Sequence, residues 1–392
     1  MKKKILFICV HSPFETGGGG AQRTRLLFQA LCTVGHVDLV CFSSSPAPRG
    51  KKSENYRVLF SAEVRQKSFS HRQSLFNKLR FWSPCSIYPL DRAAARIIEK
   101  ILSENAYDHI VIRYMQTAFQ CGLYRRNNLI IDVDDSPWQV FRSYAFDRQL
   151  RLRKRISYFY SYVVSGFYIP GFCKRSFHLF FSNKKQATYD NSSYLPNIPL
   201  TDHIDFNRRT IIPQNKTILF VGNMKYGPNL LGLDRFIQHV WKDIIQAVPD
   251  ARFRIIGQGI PDQKRDRWNR IKGIEIAGFV EDLSSEYLNC HIVVAPIYHG
   301  GGTNIKVLEA MMANRSCVIT TFAARGFEDI LINRENIIIV DDYSDFSAAV
   351  IELLTDSALN AYIGKNAAGT IDNYLSRDIF LSNVTAVFNN SR

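Results

Sequence analysis

Short apolar runs, typical of buried strands, alternate along the chain with longer segments in which apolar residues recur at helical spacing. The run at 5–10 is followed by a helical pattern at 21–34 and by a second run at 37–42. The other elements predicted in this half are strands at 109–112, 129–133 and 179–181 and helices at 90–102, 138–164 (with breaks) and 184–189. Residues 44–84 show no clear pattern and are predicted to contain loops.

The alternation stops at 190–216, where Asn, Ser, Asp and Pro dominate, and then begins again. The elements predicted beyond this connector are strands at 217–221, 252–256, 274–277, 292–295, 317–320 and 336–340 and helices at 230–248, 303–313, 346–354, 357–370 and 378–388. We therefore predict an N-terminal domain over 1–200 and a C-terminal domain over 201–376. The final segment, 377–392, is a candidate to pack back on the first domain.

The order of strands and helices predicts an α/β fold with two Rossmann-like domains. Consecutive parallel strands need a crossover, which a helix usually provides, so each sheet is expected to be mostly parallel and covered on both faces. Ligands of such doubly wound sheets bind at the carboxyl ends of the strands. Two such domains joined by a linker predict a central cleft.

Charge separates the two halves of the chain. The formal net charge is +15, and segments 49–80 and 142–185 carry net charges of +7 and +9, whereas 217–376 carries −4. This asymmetry indicates an anionic partner for the N-terminal half. Anionic lipid and nucleic acid are the candidates, and the chain has no RNP or KH signature to favour nucleic acid. The basic residues at 148–155 lead into aromatic residues at 158–162, which suits a helix in a membrane interface or a solvated face beside a buried helix.

The composition is that of an ordinary globular protein, with 46% hydrophobic and 22% charged residues. Eight scattered cysteines without a CxxC pair argue against a zinc site and for reduced thiols. The first apolar run is too short for a secretory signal, and the uncharged stretch at 156–173 is too polar for a confident membrane span. We expect a cytoplasmic protein, with the inner face of the cytoplasmic membrane as a candidate location.

The most informative segment is APIYHGGGTNIKVLEAMMAN, residues 295–314. Gly300, Gly301 and Gly302 follow a predicted strand, and a helix is predicted to begin near Thr303 and Asn304. The backbone N–H groups at such a helix start favour phosphate, and glycines permit its close approach. Glu309 lies about 9 Å further along the helix axis, where a carboxylate can accept hydrogen bonds from two ribose hydroxyls, and Lys306 shares its face. A tight turn followed by a surface Lys–Glu pair is the alternative.

This segment resembles the C-terminal signature of the retaining nucleotide-sugar glycosyltransferases of the GT-B fold (group 1, or family four). Most members carry two glutamates, and here Glu309 matches the second while Gly301 stands at the first. The chain is thus similar to the branch that reads G-G-T-x-x-K-x-L-E-A-M. The resemblance implies that the backbone amides at 301–303 hold the phosphate or sugar of the donor.

Two further segments resemble the donor domain of that branch. Residues 220–229 are similar to its first strand and loop, which implies donor contacts at Gly222 and Asn223 and a diphosphate-neutralising charge at Lys225. Residues 276–282 resemble the segment that holds the nucleobase, which implies backbone contacts near Phe279 and Val280.

A glycine loop in the N-terminal domain resembles the acceptor side of the same family. The resemblance implies that Gly17, Gly18, Gly19 and Gly20 approach the donor phosphates and the acceptor across the cleft, whereas a flexible loop is the alternative. A dinucleotide fingerprint is excluded, because these glycines lie seven residues beyond the first strand as an uninterrupted run.

Polar residues at the ends of two predicted strands complete the candidate site. Asp134 and Asp135 follow the strand at 129–133 and are candidates to bind the acceptor hydroxyl, although Asp135 also suits a helix cap. An Asp-x-Asp metal site is discounted, because the resemblance implies no metal. Arg113 ends the strand at 109–112 and is a candidate to contact the donor sugar or phosphate, and His11 follows the first strand.

The resemblance implies transfer of a sugar from a nucleotide-diphosphate sugar to an acceptor hydroxyl with retention, and no cofactor. Stabilisation of the leaving diphosphate is assigned to Lys306 or Lys225 together with the glycine loop. The basic N-terminal half suggests a lipid-linked or polysaccharide acceptor at an anionic membrane surface, hence a role in bacterial surface polysaccharide assembly, with no nucleic-acid partner. A nucleotide-sugar epimerase and a non-catalytic nucleotide-sugar-binding protein are the alternatives.

Overall fold

The computed structural model describes residues 3–15, 19–43, 52–62, 86–147, 150–199, 213, 215–300 and 303–389. The chain divides into two compact units. Unit 1 is formed by Met1–Asn197 with Arg377–Arg392, and unit 2 by Ile198–Ser376. Within the described residues, no helix combines the length and the apolarity needed to cross a bilayer.

Unit 1 contains an eight-stranded sheet of order β3-β4-β2-β1-β5-β6-β7-β8. All of its described pairs are parallel except the short β3–β4 hairpin at one edge. Its strands are β1 Lys3–Cys9, β2 Gly35–Cys41, β3 Lys52–Ser53, β4 Tyr56–Ser61, β5 His109–Arg113, β6 Leu129–Asp134, β7 His178–Phe181 and β8 Ser192–Tyr194.

The central strands of unit 1 are apolar on both faces because helices cover both sides of the sheet. Residues 5–9 of β1 are fully buried, and β5 is buried along its whole length. The helices of this unit are α1 Gly19–Val34, α2 Arg92–Glu104, α3 Met115–Gln120, α4 Pro137–Phe146, α5 Leu152–Arg175 and α13 Arg377–Asn389. The last of these packs against α1, so the chain returns to unit 1 after unit 2 is complete.

Unit 2 contains a six-stranded sheet of order β11-β10-β9-β12-β13-β14, whose described pairs are all parallel. Its strands are β9 Thr217–Val221, β10 Arg252–Ile256, β11 Ile274–Gly278, β12 Ile292–Ala295, β13 Ser316–Ile319 and β14 Ile338–Ile339. Its helices are α6 Gly227–His239, α7 Trp241–Ala247, α8 Asp262–Asn269, α9 Leu283–Asn289, α10 Ile305–Met312, α11 Tyr343–Thr355 and α12 Ser357–Tyr374. The predicted α/β class with two parallel sheets is confirmed.

Some local predictions need correction. The helix predicted at 184–189 is only a single 3-10 turn, Lys184–Gln186. The stretch at 44–84, predicted to contain loops, includes the hairpin of β3 and β4 at the edge of the sheet. Strand β3 is only two exposed residues long, and the buried positions of β4 do not alternate as in a typical strand. The helix predicted at 138–164 is two helices, α4 and α5, and the connector at 190–216 includes β8.

Candidate functional site

The glycine-rich turn of unit 2 leads from β12 into α10. Gly300 has φ +128°, and a Cβ there would collide with Tyr226 and Pro228, so only glycine fits this approach to the start of α6. Gly301 and Gly302, predicted to bind the donor, lie outside the described residues. The helix begins at Ile305, two residues after the predicted start near residue 303.

Thr303 and Asn304, the two predicted donor-binding residues ahead of α10, are both half-buried. The Asn304 amide donates to the carbonyl of Ala323 at 3.3 Å, and its side chain does not cap the helix. The backbone N–H of Ile305 donates to the Thr303 carbonyl at 3.1 Å, and this bond stabilises the turn at the start of the helix.

Lys306 is a buried lysine in the first turn of α10. Its side chain is 7% exposed, its Nζ donates to Asn229 Oδ1 at 2.8 Å, and it lies 4.5 Å from the centre of the Phe220 ring. Burial lowers the pKa of Lys306 to about 7, and Glu309 only partly opposes this effect. Within the described part of the chain, this ammonium forms no salt bridge to a carboxylate, and its hydrogen-bond partner is the neutral amide of Asn229.

The loop after β9 surrounds the Lys306 ammonium. A Cβ on Gly222 would lie 3.0 Å from Lys306 Nζ and 2.9 Å from Asn229 Nδ2, so glycine at this position makes room for both side chains. Asn229 Nδ2 in turn donates to the carbonyl of Asn223 at 3.0 Å. The structure therefore brings together Lys306, Gly222 and Asn223 as predicted candidates, and it adds Asn229.

Glu309 is buried one turn beyond Lys306. It is 9% exposed, and its Oε2 accepts a hydrogen bond from Tyr287 Oη at 2.8 Å. Tyr287 is 2% exposed on α9, and burial, followed by the charge of Glu309, raises the pKa of its hydroxyl well above the usual value. The tyrosine is therefore a neutral donor that fixes one carboxylate oxygen. The sequence around Glu309 does not point to Tyr287, because the two residues lie on different helices.

A pocket of about 380 Å³ opens at the carboxyl ends of β10 and β11. The pocket is lined by Gly257, Gln258, Gly259, Ile260, Arg265, Ile276, Ala277 and Gly278. Phe279, predicted to lie near the nucleobase, follows the pocket wall directly and is 69% exposed, and Val280 is half-buried. An exposed ring beside a pocket edged by backbone groups is suited to stack on a flat base.

The loops after β9 and β10 adjoin each other and set Lys225 beside this pocket. The backbone N–H of Gly222 donates to the Ile256 carbonyl at 2.9 Å, and that of Met224 donates to the Gln258 carbonyl at 2.8 Å. A Cβ on Gly259 would lie 2.8 Å from the backbone nitrogen of Lys225. Lys225 itself is exposed, so its ammonium reaches solvent, whereas Lys306 is enclosed.

Unit 1 holds a buried charge cluster at the carboxyl ends of β5 and β6. Asp132 accepts from Arg23 Nη2 at 2.6 Å and lies 3.0 Å from Arg113 Nη1, and both arginine side chains are at most 1% exposed. Arg113 Nη2 also donates to Asp134 at 2.9 Å. Arg113, a candidate to contact the donor, is fully buried, and its guanidinium contacts the carboxylates of Asp132 and Asp134. A contact with the donor stays a prediction.

Asp134 is a member of this cluster whose side chain is partly exposed. Its side chain is 17% exposed, its φ is +63°, and its Oδ1 accepts from Asn197 Nδ2 at 3.1 Å. Burial alone would raise the pKa of Asp134, but Arg113 and Arg23 hold it well below the usual range. Asp134 is therefore an ionised acceptor of hydrogen bonds, oriented by its partners, and Asp135 is half-buried directly after it.

His11 and Tyr114 lie beside the start of α1. Gly19 and Gly20 are its first two residues, whereas Gly17 and Gly18 lie outside the described residues. A Cβ on Gly20 would lie 3.0 Å from both His11 Nε2 and Tyr114 Oη. Burial and the charge of Arg113 lower the pKa of His11, so a neutral imidazole faces this position.

The two aspartates at the end of β6 pair with arginines. Among the described residues, no group of three or more His, Cys, Asp or Glu side chains has an arrangement that could hold a metal ion.

The buried partners Arg23, Asp132 and Asn197 were not predicted. Asp132 was the sequence feature that could have indicated them, because an acid within the apolar run of β6 is buried and a buried carboxylate requires a partner.

Comparison with known proteins gives a family match within unit 2. Residues 215–356 match the family model described as "Glycosyl transferases group 1". Over 392 residues the chain is 22% identical to an "Uncharacterized 44.6 kDa protein in cps region" of Klebsiella pneumoniae, covering 97% of this chain and 98% of that protein.

Solved structures resemble the whole chain. Sucrose-phosphate synthase from Thermosynechococcus elongatus matches with a TM-score of 0.70 at 15% identity, over 99% of this chain and 98% of that one. WaaG, a glycosyltransferase involved in lipopolysaccharide biosynthesis, matches with a TM-score of 0.64 at 16% identity, over 97% and 99%. Anabaena HepE in complex with UDP and glucose matches with a TM-score of 0.61 at 12% identity, over 99% and 100%. These neighbours show that the fold is GT-B.

Proposed function

We propose that this protein transfers a sugar from a nucleotide-diphosphate sugar to an acceptor hydroxyl, with retention at the anomeric carbon. The observation that carries the proposal is Lys306, a buried cation whose nearest polar partner is an amide, in the helix that follows the glycine turn. A lysine placed in this way is suited to an anionic ligand, since burial strengthens its attraction to the charge that it meets. The UDP complexes of HepE support a nucleotide as that ligand.

Each part of unit 2 then has a role in holding the donor. The diphosphate binds at Gly300–Thr303 and Lys306, with Lys225 adding charge from the neighbouring loop. Glu309 accepts hydrogen bonds from the ribose hydroxyls, and Tyr287 orients it. The base lies against Phe279 and Val280 at the pocket between β10 and β11.

The chemical step needs no protein nucleophile and no cofactor in this proposal. The bond between the anomeric carbon and the β-phosphate oxygen breaks, the acceptor oxygen bonds to the same face of the carbon, and its proton passes to the leaving phosphate. Positive charge beside the developing diphosphate, from Lys306 and Lys225, then lowers the barrier. In unit 1, ionised Asp134 orients the acceptor hydroxyl, with Asp135 and the loop at Gly19 and Gly20 beside it.

The acceptor is proposed to be a lipid-linked or polysaccharide intermediate of a bacterial surface polysaccharide, met at the cytoplasmic face of the membrane. The relative in a cps region and the similarity to WaaG of lipopolysaccharide biosynthesis support this proposal. The strongly basic unit 1 favours an anionic surface over a neutral one.

The proposal is tested first by donor binding and then by turnover. A thermal-shift screen against UDP, GDP, ADP and their sugars identifies the nucleotide, because a ligand at 100 times its Kd should stabilise the protein by about 2.7 kcal/mol. The selected sugar nucleotide is then incubated with and without a membrane extract as acceptor source. Epimerised sugar formed from donor alone would indicate an epimerase. Binding without transfer to any acceptor would indicate a non-catalytic binding protein.

A further inference from the structure

An apolar stripe runs along the exposed side of α5 in unit 1. We define the stripe as five side chains that are each 42–74% exposed, namely Leu152, Ile156, Phe159, Val163 and Phe167. Their spacing of three or four residues places them on one face of the helix. The face that packs into unit 1 is different and includes Val164, Ile169 and Phe172. The stripe is therefore a surface in its own right and not a frayed edge of the core.

Helix α4 extends this stripe. Phe146 at its end is 59% exposed, and its ring meets that of Phe159 edge-on, with centroids 6.1 Å apart. Six large apolar side chains thus form one continuous surface across two helices that pack closely together. Monomeric proteins rarely expose contiguous apolar patches of this kind unless they bind something.

The charged residues of α4 and α5 are all cationic. Exposed basic side chains stand at both ends of α5, with Arg151, Arg153 and Lys154 at the start and Lys174 and Arg175 at the end. Asp147 is the only acidic residue in the sequence from 137 to 189. The partner of this surface must therefore be apolar in its interior and negatively charged at its boundary.

An anionic lipid bilayer meets both requirements, and a second copy of the same surface does not. Two copies packed stripe to stripe would bring their cationic ends together, and within residues 137–189 only Asp147 of each copy would offset the repulsion. A helix of 24 residues, about 36 Å long, lying in the interface would insert the stripe among the acyl chains and leave the basic residues at the headgroups. Lys and Arg near an anionic leaflet add to this attraction.

We propose that the stripe on α4 and α5 is the membrane-binding face of the protein and inserts into a bilayer rich in anionic phospholipid. This inference rests on the proposed function for its purpose, which is to bring unit 1 to a lipid-linked acceptor. Its physical basis is independent, because the stripe belongs to unit 1 whereas the proposed donor site belongs to unit 2.

The test uses flotation of the full chain with phosphatidylcholine vesicles that contain or lack phosphatidylglycerol. A stripe variant changes three highly exposed residues, Leu152→Ser, Ile156→Ser and Phe167→Ser. Wild-type protein is expected to float with the anionic vesicles and not with pure phosphatidylcholine. The stripe variant should lower the partition coefficient by at least about tenfold.

A matched control variant removes three exposed apolar side chains of unit 2, Ile332→Ser, Tyr362→Ser and Tyr374→Ser. It should float like wild type. A charge variant, Arg153→Gln with Lys154→Gln, should weaken binding to anionic vesicles and make it less sensitive to salt. Unchanged melting temperatures show that the variants fold, since all of the altered side chains are exposed.

Several outcomes would overturn the inference. Equal flotation of the stripe variant and wild type would refute it, as would equal binding to neutral and anionic vesicles. A dimer in solution that the stripe variant dissociates would assign the surface to a second copy instead. Nucleotide binding, measured on the same variants, separates this test from the proposed function: its absence in wild type would refute the donor site without affecting the vesicle result.

Discussion

Replacing Lys306 with methionine should stabilise unit 2 near pH 6 while impairing donor binding. Burial lowers the pKa of Lys306 from 10.5 to about 7, which corresponds to roughly 5 kcal/mol of cost for holding the charge in the ligand-free protein. Methionine fills a similar volume without a charge. It also removes the hydrogen bond to Asn229, a loss of about 1–3 kcal/mol. The variant should therefore gain roughly 2–4 kcal/mol at pH 6.

The sign of this effect depends on pH. Between pH 7 and 10.5 the unfolded chain holds the Lys306 proton and the folded chain has released it, so the stability of the wild type rises with pH across this window. Below pH 7 both states are protonated, and the full cost is present. Lys306→Met lacks this slope, so its advantage should shrink above pH 7 and reverse near pH 10, where only the lost hydrogen bond remains.

Urea unfolding at pH 6, 8 and 9.5 measures this difference. In a background with Trp82→Phe and Trp138→Phe, fluorescence reports the two remaining tryptophans, Trp241 and Trp268, which are both buried in unit 2. Lys225→Met is the matched control, because its exposed side chain carries no burial cost. It should leave stability nearly unchanged at every pH.

Donor binding completes this test. A nucleotide sugar whose diphosphate meets Lys306 favours the ammonium, so binding takes up a proton, and the Kd of the wild type should rise above pH 7 by up to about tenfold per pH unit. Lys306→Met should bind the donor more weakly, with little dependence on pH. If this variant were equally destabilised at pH 6 and 9.5, or bound the donor like wild type, the reasoning about a buried, anion-seeking lysine would be wrong.

Three further substitutions test separate parts of the two units. Glu309→Gln should weaken nucleotide binding by about 10–100-fold through loss of charged hydrogen bonds to the ribose, and titration calorimetry showing unchanged affinity would contradict that role. Phe279→Ala should cost about 1–3 kcal/mol of nucleotide affinity if the ring stacks on the base, whereas inorganic pyrophosphate should bind as before and the exposed control Tyr374→Ala should change neither. Asp132→Asn should destabilise unit 1 by about 3–5 kcal/mol in thermal unfolding, because it leaves two buried arginines with too little negative charge, while nucleotide binding in unit 2 persists.

The sequence predicted the fold well because buried parallel strands are apolar on both faces and stand out from their surroundings. The hairpin of β3 and β4 is not predicted because β3 is only two exposed residues long and β4 shows neither a continuous buried run nor a strict alternation of buried positions. The sequence predicts a helix at 184–189, whereas only a single 3-10 turn forms at Lys184–Gln186, because one turn and a short helix share the same local spacing. The local pattern of apolar residues thus predicts the elements that are buried in the core. It does not predict elements at the edge of the sheet.

The sequence predicted the candidate site only where residues close to each other in the chain form it. Lys306 and Glu309 share one helix, so their spacing alone indicated a common face. Tyr287 and Asn229, which hold them, come from other elements and reach them only through the fold. Arg113 shows the opposite case, because its position at a strand end does not reveal that the fold buries it against Asp132 and Asp134.

The return of α13 to unit 1 has a consequence for how the protein is made. His109 of β5 packs edge-on against Phe388 of α13, with ring centroids 5.3 Å apart, and Arg23 lies 5.9 Å from the Phe380 ring. These partners leave the ribosome only after all of unit 2 has been synthesised. Unit 2 is thus free to fold during translation, whereas unit 1 must wait with part of its apolar surface uncovered, which makes the nascent first half a natural client for a chaperone.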